Sequence, residues 1–213
     1  MQKSTIPFLL TSFIAAVFLV SCSSVNLVQD YKIAAIEKPI FQNTYFSNPE
    51  IDYVYKANIT VYGNELTGIF IAKKINETTH RVVFTTEFGN KLLDFEISDT
   101  DFKINSIVEE LDRKILINTL KNDFKLLLRK DFLVTEQLKK STDEVYKSKD
   151  GKYFNYLFVS TMDRKLYKIA QASKTKEKIN MSFTSENNIF ADNIIIQHYN
   201  LKLRIELNYF KQN

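Results

Sequence analysis

The sequence predicts an α+β, mainly β fold of about ten short antiparallel strands around one central helix. Three observations carry this. From Ile51 onward apolar and polar side chains alternate with a period of two, and clusters of turn-forming residues recur at short, regular intervals. A single internal stretch, Arg113 to Leu128, switches to helical spacing.

The N-terminus comes first in the chain and reads as a targeting segment rather than as part of the fold. Met1-Gln2-Lys3-Ser4 carries one positive charge and leads into an apolar run, Ile6 to Val20, interrupted at Thr11-Ser12. A run of about 15 residues is short for a helix crossing a hydrocarbon core of roughly 30 Å. It ends at Leu19-Val20-Ser21-Cys22, which resembles the lipobox of lipoprotein precursors. That resemblance implies a signal peptide over residues 1–21 and Cys22 as the lipidated residue; an uncleaved membrane anchor is the alternative. Cys22 is the one cysteine in the sequence, so no intramolecular disulfide can form even after export to an oxidising compartment. Several acyl chains on one N-terminus give stable anchoring, where a single chain gives only marginal binding. Ser23-Ser24 place no aspartate beside the cysteine, and Val25 to Asp30 holds no acidic cluster. The reading is an outer-membrane lipid anchor with the body facing the periplasm; the cell surface is the alternative.

Residues 22–50 form the lipidated end, a tether and a poorly patterned segment in which Pro39 and Asn48-Pro49 argue against one continuous helix. A short helix from Val25 to Ile36 is expected. The domain proper spans 51–213. Its first strand, from Ile51, alternates Tyr53, Tyr55, Ala57, Ile59 and Val61 with Lys56, Asn58 and Thr60. Gly63-Asn64 turns into Leu66 to Ile75, Asn76 to Thr79 turns again, and Arg81 to Thr86 pairs with Leu92 to Ser98 around Phe88-Gly89-Asn90. A short strand at Asp101 to Ile104 closes this meander. In the helix, Leu116, Leu120, Phe124, Leu127 and Leu128 share a stripe, with Asp112 expected as the N-cap. Phe132-Leu133-Val134 reads as a packed connection. Strands follow at Glu144 to Lys147, Tyr153 to Ser160, Leu166 to Ala172, Lys178 to Thr184, Ile189 to Gln197 and Leu201 to Tyr209, the last with the cleanest alternation. Asp150-Gly151 is a strong hairpin signal between the first two.

Without the signal, about 190 residues remain, enough for one domain with a substantial core. Basic residues exceed acidic ones only slightly and are mixed among them, which argues against nucleic acid as a partner. Several strands are apolar on both faces: Ile69 to Ala72, Val82 to Phe84 and Ile194 to Ile196. In an antiparallel sheet such strands are either covered on both sides or line a ligand space.

The order of elements resembles the LolB/LolA-like lipoprotein-handling family. The strongest local match is Arg81 to Ile97, an apolar strand, a large apolar residue with glycine at a loop, and a second apolar strand. Arg113 to Leu128 falls where the family carries its middle helix, and Asn193 to Tyr209 resembles its closing hairpin. The resemblance covers most of residues 52 to 210. It implies an incomplete antiparallel β-barrel with a helical lid over an apolar cavity, and a protruding membrane-insertion loop at Phe88 and Gly89, where the family has leucine. It also implies acylated lipoprotein as cargo and a periplasmic LolA-like carrier as partner. Alternation then assigns Tyr55, Ile59, Phe70, Phe84, Phe95, Leu120, Phe124, Ile195, Leu203 and Ile205 to the cavity, in a protein expected to be a monomer. The alternative is a non-catalytic accessory lipoprotein that meets a protein partner through Tyr153, Tyr156 and Tyr167.

Catalytic chemistry finds little to work with. His80 and His198 read as surface histidines at a turn and a strand end, with no nucleophile motif beside them. No Gly-rich phosphate loop occurs and no cysteine beyond Cys22 exists for a metal site. Glu109-Glu110, Asp99 and Asp101 read as solvated acids. The expectation is a protein with no catalytic residues, metal or cofactor.

Overall fold

The computed structural model describes residues 27–187 and 189–210. The stretch expected to be an export signal, Cys22 and the first residues of the expected tether lie outside the described residues. Seven strands precede the helix: β1 (Lys32–Ala34), β2 (Ile40–Gln42), β3 (Asp52–Val61), β4 (Asn64–Lys74), β5 (His80–Thr85), β6 (Lys91–Ile97) and β7 (Phe102–Ile107). A 3-10 turn at Glu109–Leu111 leads into α1 (Lys114–Leu128). Seven more strands follow: β8 (Asp131–Lys139), β9 (Asp143–Asp150), β10 (Tyr153–Ser160), β11 (Leu166–Ala172), β12 (Glu177–Thr184), β13 (Asn193–His198) and β14 (Leu203–Tyr209).

All belong to one antiparallel arrangement in the order β1-β8-β9-β10-β11-β12-β13-β14-β3-β4-β5-β6-β7, with β2 also pairing on β8. The C-terminal strand β14 joins β3, so the sequence meets itself in mid-sheet. The edges β7 and β1 do not pair with each other, and the barrel is therefore incomplete.

Register explains the core. Tyr55 lies opposite Phe70, Phe70 opposite Phe84 and Phe84 opposite Leu93. On the other side Ile59 lies opposite Ile205, Ile205 opposite Ile196 and Ile196 opposite Met181. All of these are buried on one face, because a period of two sends every second side chain inward. That face wraps around α1, whose Leu120, Phe124 and Leu127 are buried against it, with the Phe70 and Phe124 ring centroids 5.3 Å apart. Each such fully buried side chain contributes about 1.5–3 kcal/mol of hydrophobic free energy.

The segment before β3 also enters this face. Asn43 Nδ2 donates to the carbonyls of Leu127 and Arg129 at 3.4 and 3.3 Å and so caps the end of α1. Tyr45 stacks on Phe183, and Phe46 sits between Tyr53 and Tyr55. The outer face carries a second, smaller cluster: Leu27, Val28 and Tyr31 pack with Leu138, Val145, Tyr156, Phe158 and Tyr167.

Several sequence expectations need correction. Among the described residues fourteen strands replace the expected ten or so, because β1 and β2 are only three residues long and β8 occupies the stretch around Phe132-Leu133-Val134 that the sequence presents as a connection. The described part of the expected helix at 25–36 is a turn followed by β1, held by pairing of Lys32–Ala34 with Gln137–Lys139. Arg113, not Asp112, is the N-cap of α1, and it has no side-chain capping bond. Asp112 instead ends the 3-10 turn, its backbone N–H donating to the Glu109 carbonyl.

Candidate functional site

The concave face is filled unevenly along β3. At its Tyr53 end the aromatic plug of Tyr45 and Phe46 closes the space. Phe46 adopts a left-handed backbone at φ 60°, unusual for a bulky residue, and its carbonyl lies 2.8 Å from the buried His80 Nε2. Phe124 and Leu120 fill the middle. At the Val61 end the filling stops, and a cavity of about 890 Å³ opens between the start of α1 and the ends of β3, β4 and β14. Val61, Leu66, Leu111, Leu116, Leu201 and Leu203 give it apolar walls, while Glu65, Glu110, Arg113 and Lys114 lie around it. Its volume lies in the upper part of the range of about 300–1,000 Å³ usual for ligand pockets.

In an antiparallel sheet every second connection lies on the same edge, so the β3–β4, β5–β6 and β13–β14 turns share the edge on which this cavity opens. Phe88 stands at the tip of the β5–β6 turn and is 94% exposed. The turn is tightly built: Thr86 N–H donates to the Asn90 carbonyl at 2.8 Å, and Gly89, at φ +85°, donates back to the Thr86 carbonyl at 3.0 Å. Gly89 supplies a backbone geometry that an L side chain resists. Tyr62 and Tyr199, also exposed, occupy the neighbouring turns on that edge.

On the other flank of α1 lies a polar cleft of about 390 Å³. Asp123, on the inward face of α1, is completely buried there, with its Oδ2 2.8 Å from His198 Nε2 on β13. Burial pushes the Asp123 carboxyl up, and the imidazole partner opposes that shift. Both histidines are thus interior groups, correcting the expectation of surface positions. His80 starts β5 facing inward, and His198 continues the inward row of Ile194 and Ile196. Burial lowers the pKa of His80.

Two solved structures resemble this fold. A LolA superfamily protein from Nitrosomonas europaea is 11% identical, with a TM-score of 0.49 over 78% of this chain and 87% of its own. A domain described as an outer membrane lipoprotein-sorting protein, from Vibrio parahaemolyticus, is 8% identical, with a TM-score of 0.43 over 75% of this chain and 83% of its own. No family model and no curated protein matches the chain.

The residues assigned to a cavity from sequence divide as follows. Tyr55, Ile59, Phe70, Phe84, Phe95, Leu120, Phe124, Leu203 and Ile205 are all buried in the main core. Of these only Leu203 lines the open cavity. Ile195 is half-buried on the opposite face, because Ile194 and Ile196 take the inward positions. The walls missing from the sequence assignment, Val61, Leu66, Leu111, Leu116 and Leu201, sit at or beside element ends, where alternation is read least well. Asp123 carried a usable signal: it falls in the stripe of Leu116, Leu120 and Leu127, a charged residue at a core position. Among the described residues no group of three or more metal-ligating side chains occurs, and no helix is long and apolar enough to cross a membrane.

Proposed function

We propose that this protein binds the acyl chains of lipoproteins or related lipids in the cavity beside α1 and passes them to the outer membrane. The observation that carries this reading is the apolar cavity of about 890 Å³, open on the sheet edge that also carries Phe88. Burying a methylene contributes about 0.8 kcal/mol whether in a protein cavity or a bilayer, so transfer between the two runs nearly energy-neutral. Nothing has to be hydrolysed for cargo to move down an affinity gradient. In this reading Cys22 is lipidated and holds the body at the membrane, and a periplasmic carrier delivers the cargo. Phe88 enters the bilayer surface and lowers the barrier for a chain leaving the cavity.

Native mass spectrometry of the purified chain tests the cavity. Co-purified acyl lipid or lipopeptide is expected, and Leu66→Glu with Leu116→Glu should abolish it by placing charge in the walls. Absence of acyl ligand, together with no uptake of added fatty acyl probe, overturns the reading. For the loop, Phe88→Glu should block delivery to membranes while leaving uptake intact; unchanged delivery removes Phe88 from the mechanism.

Of the three tyrosines in the protein-interface alternative, Tyr156 is buried, Tyr156 and Tyr167 belong to the outer cluster that also holds the chain's own Leu27, Val28 and Tyr31, and Tyr153 is half-buried outside it.

A further inference from the structure

The sheet edge that carries the cavity mouth also gathers lysines. The β9–β10, β11–β12 and β13–β14 turns share this edge, because neighbouring strands are antiparallel and every second connection returns to the same side. Lys149 and Lys152 border Gly151 in the first turn, Lys174 and Lys176 stand in the second, and Lys202 ends the third. All five are exposed, and none forms an ion pair among the described residues. The acids beside them offer little compensation. Asp150 is paired with Arg129 at 3.0 Å, and burial pushes the half-buried Glu177 carboxyl up, towards its neutral form. Across the cavity mouth the signs mix, with Glu65, Glu87, Glu109 and Glu110 exposed alongside Arg113 and Lys114. Unpaired positive charge is thus concentrated on the β9–β14 half of the edge.

Two exposed rings stand beside these lysines. Tyr199 lies in the same turn as Lys202, and Tyr62, in the neighbouring β3–β4 turn, donates its backbone N–H to the Lys202 carbonyl at 2.8 Å. Tyr62 keeps a left-handed backbone at φ 49° in a two-residue hairpin turn, a position that Asn or Gly fills with least strain. Strained residues of this kind cluster at functional positions.

The type of charge points to the partner. Arginine gives fixed, bidentate contacts and is enriched at protein interfaces, whereas lysine is a flexible point charge and is depleted there. The three turns hold lysines and no arginine. Spread from β9 to β14, over roughly 24 Å at about 4.8 Å per strand spacing, they suit a surface whose negative charges are many and laterally mobile. Tyrosine, with an apolar body and a polar tip, is a residue that settles at a membrane–water interface.

We propose that this rim docks the body, cavity mouth first, on a bilayer carrying anionic lipid head groups, with the five lysines as the electrostatic contact and Tyr62 and Tyr199 at the interface. Docking of this kind needs no cargo, so it stands or falls apart from the acyl-binding reading.

Flotation of the full chain with vesicles tests it, comparing phosphatidylcholine alone with phosphatidylcholine mixed with phosphatidylglycerol. An N-terminal anchor contributes to both alike, so the ratio of the two partition coefficients reads the rim. At about 0.1 M salt the wild type should prefer the anionic vesicles by about tenfold or more, since each lysine at an anionic surface adds to the attraction. Raising the salt to about 1 M shortens the Debye length from about 10 Å to about 3 Å and should bring the ratio near one. Lys174→Glu, Lys176→Glu and Lys202→Glu together should do the same without added salt. Lys38→Glu, Lys73→Glu and Lys140→Glu, exposed away from this rim, change the net charge equally and should keep the preference. A wild-type ratio near one at about 0.1 M salt overturns the proposal and leaves the lysines to an acidic protein partner. Equal losses in the two triple variants overturn it in favour of net charge alone. Acyl-probe uptake is scored separately and decides the cavity. Should a variant not fold, the lipid ratio and salt dependence of the wild type still decide.

Discussion

His80 combines burial with a single backbone partner, the Phe46 carbonyl, and this makes it a source of pH dependence. Burial lowers its pKa below the ordinary 6.5, so the folded chain takes up a proton later than the unfolded chain as pH falls. The stabilising contribution is complete above about pH 6.5 and is lost as the pH drops through the unfolded value toward the folded one. One proton bound only by the unfolded chain corresponds to a slope of about 1.4 kcal/mol per pH unit. Thermal melts between pH 7.5 and 5.5 should show a falling midpoint, and His80→Gln, which can still donate to Phe46, should flatten that fall. An unchanged slope in the variant would assign the effect to other groups. His198 and Asp123 mark the limit of reading single residues from sequence. Asp123 interrupts an apolar helical stripe and His198 ends an apolar strand row, so each was visible as an oddity. Their pairing across 75 positions was not, because helix phase and strand register must both be known before the two meet.

Strands with long alternation were legible as elements: β3, β4 and β14 appear within a few residues of where the sequence places them. β1 and β2 were not, because three residues carry no period and their strand form depends on β8. β8 itself has a register shift between Val134 and Glu136, which breaks the alternation that would have revealed it. Gly68 on β4 shows a constraint that alternation also hides. It sits opposite Ala57, and a Cβ placed on it would lie 2.0 Å from the Thr85 carbonyl oxygen of β5. Gly68→Ala must push the β4 and β5 backbones apart, so a loss at the upper end of the roughly 1–3 kcal/mol typical of overpacking is expected in denaturant titrations. Phe124→Ala, by contrast, empties the space beneath α1 and should cost about 3–5 kcal/mol. In the same titrations Phe88→Glu should stay within about 0.5 kcal/mol of wild type, because its side chain is exposed at a turn tip.

At the scale of the whole molecule, the outer cluster would set how the body hangs from the lipid anchor proposed at Cys22. Leu27, Val28 and Tyr31 dock on the convex face of β8–β11, and the Tyr31 hydroxyl donates to Asp143 at 3.3 Å. An extended chain covers at most roughly 3.6 Å per residue, so the five steps between Leu27 and an anchor at Cys22 could span no more than roughly 18 Å. In the proposed role this short leash keeps the cavity close to the bilayer. Leu27→Ser with Tyr31→Ala should release the segment and let the leash reach to Lys32, doubling its span to roughly 36 Å. The measurable consequence is distance. With a dye at the exposed Met162 position, introduced as Met162→Cys, energy transfer to acceptor lipids in vesicles should fall in the undocked variant while the lipidated protein stays membrane-bound. Equal transfer in the docked and undocked forms would mean that the N-terminal segment contributes packing on the convex face without setting how close the cavity sits to the membrane.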